Sequence, residues 1–235
     1  MTLRILAFET SAKAGSVALL EDGRLLAENY QNTGLTHSQT VMTMAEDLLK
    51  NCSLTPQQID ALAVAAGPGS FTGVRIGVAA AKGFAWGGEK PLYGVSTLEA
   101  MALQLGVYHG LVVPVMDARR SQVYNALFRA EKGNLERLTP DRAISLAELA
   151  EELKKHEKPI FLVGDGSVLC SETLREQVPH LILPPEHRMH QRASGVAIAA
   201  YEQYLAGEPA DAATLTPNYL RLSQAERERL AREQK

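Results

Sequence analysis

Cysteine is scarce in this 235-residue sequence: the two present, Cys52 and Cys170, lie far apart. They offer neither a disulfide framework nor zinc spacing, so reduced thiols of a cytoplasmic protein are expected. Positive charge is not in excess either, since 24 Lys and Arg against 27 Asp and Glu leave a net charge of −3. Such a chain has no general attraction to phosphate backbones and alone should bind nucleic acid weakly. Long apolar runs are missing too, and no window approaches the ~20 residues a membrane helix needs. The opening Met1–Phe8 runs straight into a strand-like pattern with an acid at Glu9, without the length or cleavage pattern of a secretory signal. No HExxH is present, which sets aside a zinc protease. Of the six histidines, His187 and His190 make the one close pair, in a loop that lacks a fuller ligand set.

What is present is an ordinary globular composition, 46% hydrophobic and 22% charged, enough for one large domain or two lobes. The informative stretch is Gly67-Pro68-Gly69-Ser70-Phe71-Thr72-Gly73-Val74-Arg75-Ile76-Gly77. It follows the apolar run Ile59–Ala66, which reads as a buried strand, and opens into Phe71–Trp86, where Arg75 and Lys82 are the charged members. No Lys-Ser or Lys-Thr closes it as a P-loop. Its GxGxxxG form is a loose relative of the dinucleotide fingerprint, but three strands precede it where one is expected. Gly73, Gly77 and Ala81 fall four apart, so one side of the helix is nearly bare and something packs close against it. A helix apolar almost all round also needs cover on more than one side, either at an interface with another molecule or by burial inside its own lobe, and periodicity alone does not choose between them.

In order, Leu3–Phe8, Ser16–Leu20 and Leu25–Tyr30 read as strands, with Asp22-Gly23 as a hairpin turn. A helix from about Thr36 to Asn51 follows, then strand, glycine turn, apolar helix, the strand Pro91–Val95 and a helix from Thr97. That is β-β-β-α-β-α-β-α, not the alternation of a doubly wound fold. Residues 1–105 form a first lobe and 106–222 a second, and 223–235 form a polar tail with frayed helical character. The second lobe has strands at Leu111–Met116, Gln122–Phe128 and Ile160–Val163, helices at Leu146–Lys155 and Ser194–Leu205, and a docked extended segment, Thr216–Arg221.

Chemistry has few candidates. Glu9-Thr10-Ser11 with Gly15-Ser16 could hold a phosphate or a magnesium-bound water, or simply be a hairpin entry with satisfied hydroxyls. Asp117 and Asp165 each end a strand, as catalytic carboxylates do and as turn residues do. Arg119-Arg120 is a small basic cluster that any surface can carry. These leave open a small-molecule kinase or ATPase working between the lobes.

Phe8-Glu9-Thr10-Ser11, the glycine stretch followed by Ala80-Ala81-Lys82-Gly83, Asp117-Ala118-Arg119-Arg120 and Pro217-Asn218-Tyr219-Leu220-Arg221 together resemble the TsaB (YeaZ) family over nearly the whole chain. The resemblance implies an α/β protein with the actin/sugar kinase/Hsp70-like (ASKHA) fold, two lobes each with a mixed sheet flanked by helices. The related transferase TsaD carries a Val-Asn-His-x-x-x-His segment after its glycine motif. This chain has Val95-Ser96-Thr97-Leu98-Glu99-Ala100-Met101 there, so Thr97 and Met101 stand where those metal-holding histidines would be. The resemblance therefore implies a non-catalytic scaffold for tRNA N6-threonylcarbamoyladenosine formation. It would pair with TsaD and the ATPase TsaE, or with itself when alone, and meet tRNA through the complex. No cofactor or metal is expected on this chain; ATP is used by the assembly. Interface candidates on the two first-lobe helices are Val41, Met42, Met44, Ala45, Leu48, Leu49, Gly73, Ile76, Gly77, Ala80 and Ala81.

Overall fold

A computed structural model describes residues 2–208 and 210–221; the expected tail 223–235 lies outside them. Three antiparallel strands open the chain: β1 (Arg4–Glu9), β2 (Gly15–Glu21) and β3 (Arg24–Gln31). The Asp22-Gly23 turn between the last two has φ of 48° and 80°, the left-handed pair that a two-residue hairpin requires. Then come α1 (His37–Asn51), β4 (Ala61–Gly67), α2 (Phe71–Gly88), β5 (Leu92–Ser96) and α3 (Thr97–Leu103). The sheet order is β3-β2-β1-β4-β5, with β4 parallel to β1 and β5 parallel to β4.

The two-residue period of β1 and β4 divides this sheet's faces. Leu6, Phe8, Leu62 and Val64 meet Val41, Met44, Leu48, Val74 and Val78 of α1 and α2. Ile5, Ala7, Ala61, Ala63 and Ala65 point the other way, onto Ala193, Val196, Ala197 and Ala200. Those last four belong to α6 (Ala193–Leu205), the last helix among the described residues. Small side chains on both partners bring α6 close to the sheet, and Arg192 fastens its start to Glu28 of β3 at 2.8 Å. The division at 105/106 is therefore corrected: α6, with Ala212 and Leu215 after it, returns to the first lobe, because its alanine face packs closely on the alanine face of that sheet.

The second sheet is built on β6 (Gly110–Asp117), with β7 (Gln122–Asn125), β8 (Phe128–Glu131), β9 (Asn134–Arg137), β10 (Arg142–Ser145), α4 (Leu146–Leu153), β11 (Ile160–Val163), α5 (Ser167–Leu174) and β12 (Leu181–Ile182). Its order is β10-β7-β6-β11-β12, with β8 also on β6 and β9 on β8. The expected single strand Gln122–Phe128 is broken after Asn125. Both halves pair with β6, and the buried Asn125 amide bridges the break by donating to the carbonyls of Pro114 and Ala126 at 3.1 and 3.0 Å. Helix α5 is absent from the sequence reading because its SVLCSETL buries only Ser167, Cys170 and Leu174 and shows no strong apolar period. Among the described residues no helix is long and apolar enough to cross a membrane.

Candidate functional site

The glycine stretch is a strand–turn–helix joint whose glycines face protein. Ser70 caps α2 by accepting from the Gly73 N–H at 3.3 Å, and its own N–H donates to the Ser11 carbonyl at 2.7 Å. Thr10 Oγ1 donates to the Gly73 carbonyl at 2.8 Å. A Cβ on Gly73 would run into the Thr10 carbonyl oxygen, and one on Gly77 into Thr10 Oγ1, both well inside 3.0 Å. The bare side of α2 thus lets the end of β1 come into backbone contact, the packing role its spacing suggests.

Between the lobes lies a cleft of about 570 Å³ whose lining includes Ser11, Lys13, Ser70, Asp117, Asp165 and Arg221. The candidate acids gather at this junction. Glu9 is fully buried at the end of β1, and its Oε1 accepts from the Ser11 N–H at 2.6 Å. Burial, with a smaller contribution from the Asp165 charge, pushes its carboxyl up to about 7. Asp165 follows β11 and is exposed to the cleft at its surface; the packing around its carboxyl still raises its pKa by desolvation, Asp117 adding to the effect, although Gln191 donates to its Oδ1 at 2.8 Å. Asp117 is tied to Arg119 through the backbone N–H at 2.7 Å and the guanidinium at 3.4 Å. His187 is exposed and His190 half-buried. Among the described residues, no group of three or more His, Cys, Asp or Glu could hold a metal ion.

The segment Thr216–Arg221 crosses from one lobe to the other. Asn218 N–H donates to the Ala66 carbonyl at 2.6 Å, and the Tyr219 ring stacks on Phe71 at 4.7 Å. Arg75 lies 3.9 Å over the Phe71 ring and donates to the Tyr219 hydroxyl at 2.7 Å. Arg221 donates to the Ala118 carbonyl of the second lobe. The sequence shows a docked segment here; its cleft-spanning role becomes visible only in three dimensions.

The interface candidates divide sharply. Val41, Met44, Ala45, Leu48 and Leu49 are buried in the core beneath α1, and Gly73, Gly77 and Ala81 are buried beneath α2. These eight present no surface to a partner, because the amphipathic stripe that marked them serves the lobe's own sheet. Met42 is 46% exposed, and Ile76 and Ala80 are half-buried. The exposed row of α2 continues through Thr72, Ala79, Gly83 and Trp86, which the sequence reading omits. The row 72, 76, 79, 83, 86 lies opposite the glycine row, and that alternation is the signal that finds it. Thr97 and Met101 are fully buried, Met101 packing with Leu98, Phe128 and Val163.

Two mixed sheets flanked by helices around a cleft define a protein of the actin/sugar kinase/Hsp70-like class. The family model for "TsaD: tRNA N6-adenosine threonylcarbamoyltransferase" matches residues 31–229. The tRNA threonylcarbamoyladenosine biosynthesis protein TsaB of Bacillus subtilis is 36% identical over 95% of this chain and 96% of its own length. Its Escherichia coli counterpart is 38% identical over 64% and 65%. The solved structure of YeaZ from Pseudomonas aeruginosa superposes with a TM-score of 0.74 at 27% identity, over 93% of this chain and all of that one. The chain belongs to the TsaB (YeaZ) family.

Proposed function

We propose that this chain is a non-catalytic subunit required for N6-threonylcarbamoyladenosine formation on tRNA, pairing with the transferase TsaD and joined by the ATPase TsaE. The names of its relatives support the pathway. The pairing rests on one observation, the exposed row of α2. Trp86, the single tryptophan of the sequence, is 64% exposed at the end of a row of small residues. A Cβ on Gly83 would meet nothing within 4 Å. An exposed tryptophan beside small residues suits a docking face, since tryptophan is the type of anchor such faces use, and the small residues let a second helix approach closely. The same face would serve a second copy of this chain when the transferase is absent.

The chain binds no cofactor of its own in this reading, and ATP is used by the assembly. Support comes from the cleft: Glu9 beneath it is fully buried and holds its proton to about pH 7, the Asp165 carboxyl is raised in the same direction, and Asp117 is occupied by Arg119. Gly83→Arg, and independently Ala79→Arg, should weaken association with TsaD about thirtyfold, roughly 2 kcal/mol. Their unfolding midpoints should match the parent's, since both positions face solvent. Co-elution of TsaD with either variant at parental stoichiometry removes α2 as the pairing face. Titration with ATP and magnesium tests the rest: micromolar binding with turnover by the purified chain would make it a kinase or ATPase.

A further inference from the structure

The loop between β6 and β7 holds three consecutive non-glycine residues in the left-handed region, Arg119, Arg120 and Ser121, with φ of 66°, 57° and 55°. L-residues adopt this conformation singly, and a run of three persists only where the surroundings enforce it. Here they do. Asp117 accepts from the Arg119 N–H, Arg221 donates to the Ala118 carbonyl, and the Leu146 N–H donates to the Ser121 carbonyl at 3.1 Å. The product of this enforced turn is a pair of exposed arginines: Arg119, its side chain 86% exposed, lines the mouth of the cleft, and Arg120 adjoins it in the chain. Lys13, exposed on the β1–β2 loop, lines the same mouth, as do Ser70, Phe71 and Thr72 at the positive end of the 18-residue helix α2. Tyr219, 40% exposed, adds an aromatic edge.

We propose that this mouth is a docking surface for the phosphodiester backbone of a structured RNA, held by Lys13, Arg119 and Arg120. The inference rests on the reading of the chain as a subunit acting on tRNA. Local charge carries it: the whole chain is net negative, yet the lining of this mouth holds Lys13, Arg119 and Arg221 against Asp117 and Asp165, with Arg120 adjoining. Exposure decides between a small phosphate ligand and a polymer. Lys13, Arg119 and Arg120 are all exposed, so phosphates they hold stay at the rim, where a strand passes across, while Asp117 and Asp165 line the cleft within.

The test uses the full chain, alone and with TsaD, titrated against a fluorescein-labelled tRNA transcript from 50 to 200 mM KCl. Arg119→Ala/Arg120→Ala should reduce the slope of log K against log [KCl] by about 1.5 to 2 and weaken binding about tenfold at the lowest salt. Arg119→Lys/Arg120→Lys should retain the slope. Both pairs keep a Cβ at the left-handed positions, so the backbone strain is the same. An unchanged slope in the alanine pair overturns the proposal. So does loss of TsaD pairing in that pair with tRNA binding intact, which assigns the arginines to an acidic protein surface. If TsaD never pairs with the parent chain but the slope change is seen, the partner reading fails and the RNA surface stands.

Discussion

Gly73→Ala should destabilise the protein by about 3 kcal/mol, lowering its unfolding midpoint by roughly 6 to 12 °C. The methyl group would collide with the Thr10 carbonyl oxygen, a backbone atom with no freedom to rotate away. Relief requires either the end of β1 or the start of α2 to move. β1 is held on both sides, by β2 and β4, and packs on both faces through fully buried side chains. The start of α2 is fastened by the Ser70 cap and the Thr10–Gly73 hydrogen bond. Gly83→Ala on the same helix is the control: its methyl meets open space, and added helix propensity should make it neutral or stabilising by up to about 1 kcal/mol. Chemical unfolding of the two variants beside the parent measures the contrast. Equal midpoints would mean that β1 and α2 do not touch as described.

That pair of glycines also shows what the sequence makes legible. Four-residue spacing of Gly73, Gly77 and Ala81 identifies a face of close approach, and a stretch with so few side chains has few other uses. What approaches is not written there, because Thr10 lies 63 residues away. The first lobe's element order follows from strong periodicity and an Asp-Gly turn, both local signals. The return of α6 to the first sheet is nonlocal; it depends on alanines at 7, 61, 63 and 65 matching alanines at 193, 197 and 200. Likewise the stripe of Val41, Met44, Ala45, Leu48 and Leu49 marks α1 as amphipathic, but periodicity cannot say whether the covering surface is the chain's own sheet or another molecule. For the outer row of α2 the answer is the reverse, and only burial separates the two rows. The three left-handed residues after Asp117 give no sequence signal, since Arg-Arg-Ser is not a turn signature of that geometry.

The buried acid at the end of β1 gives the second large effect, and its sign is opposite to that of a typical surface carboxylate. Glu9 holds its proton to about pH 7 when folded, against 4.5 for an ordinary glutamate. Between those values the native state binds a proton the unfolded chain has released, so stability falls as pH rises, by about 1.4 kcal/mol per unit. Over the whole window the loss amounts to about 3 kcal/mol: the contribution is fully present below pH 4.5 and gone above pH 7. Glu9→Gln keeps the oxygen that accepts from the Ser11 N–H and has no proton to lose. Its stability relative to the parent should therefore improve by about 3 kcal/mol between pH 4.5 and pH 7.5. Asp165, raised in the same direction, titrates in both proteins and largely cancels in the comparison, although without the Glu9 charge opposite it Asp165 ionises more readily. Urea unfolding of both proteins across that range is the measurement. Parallel stability curves would mean that Glu9 reaches solvent and ionises like an ordinary carboxylate, and its burial at the end of β1 would have to be abandoned, together with the support it lends to a subunit without catalysis of its own.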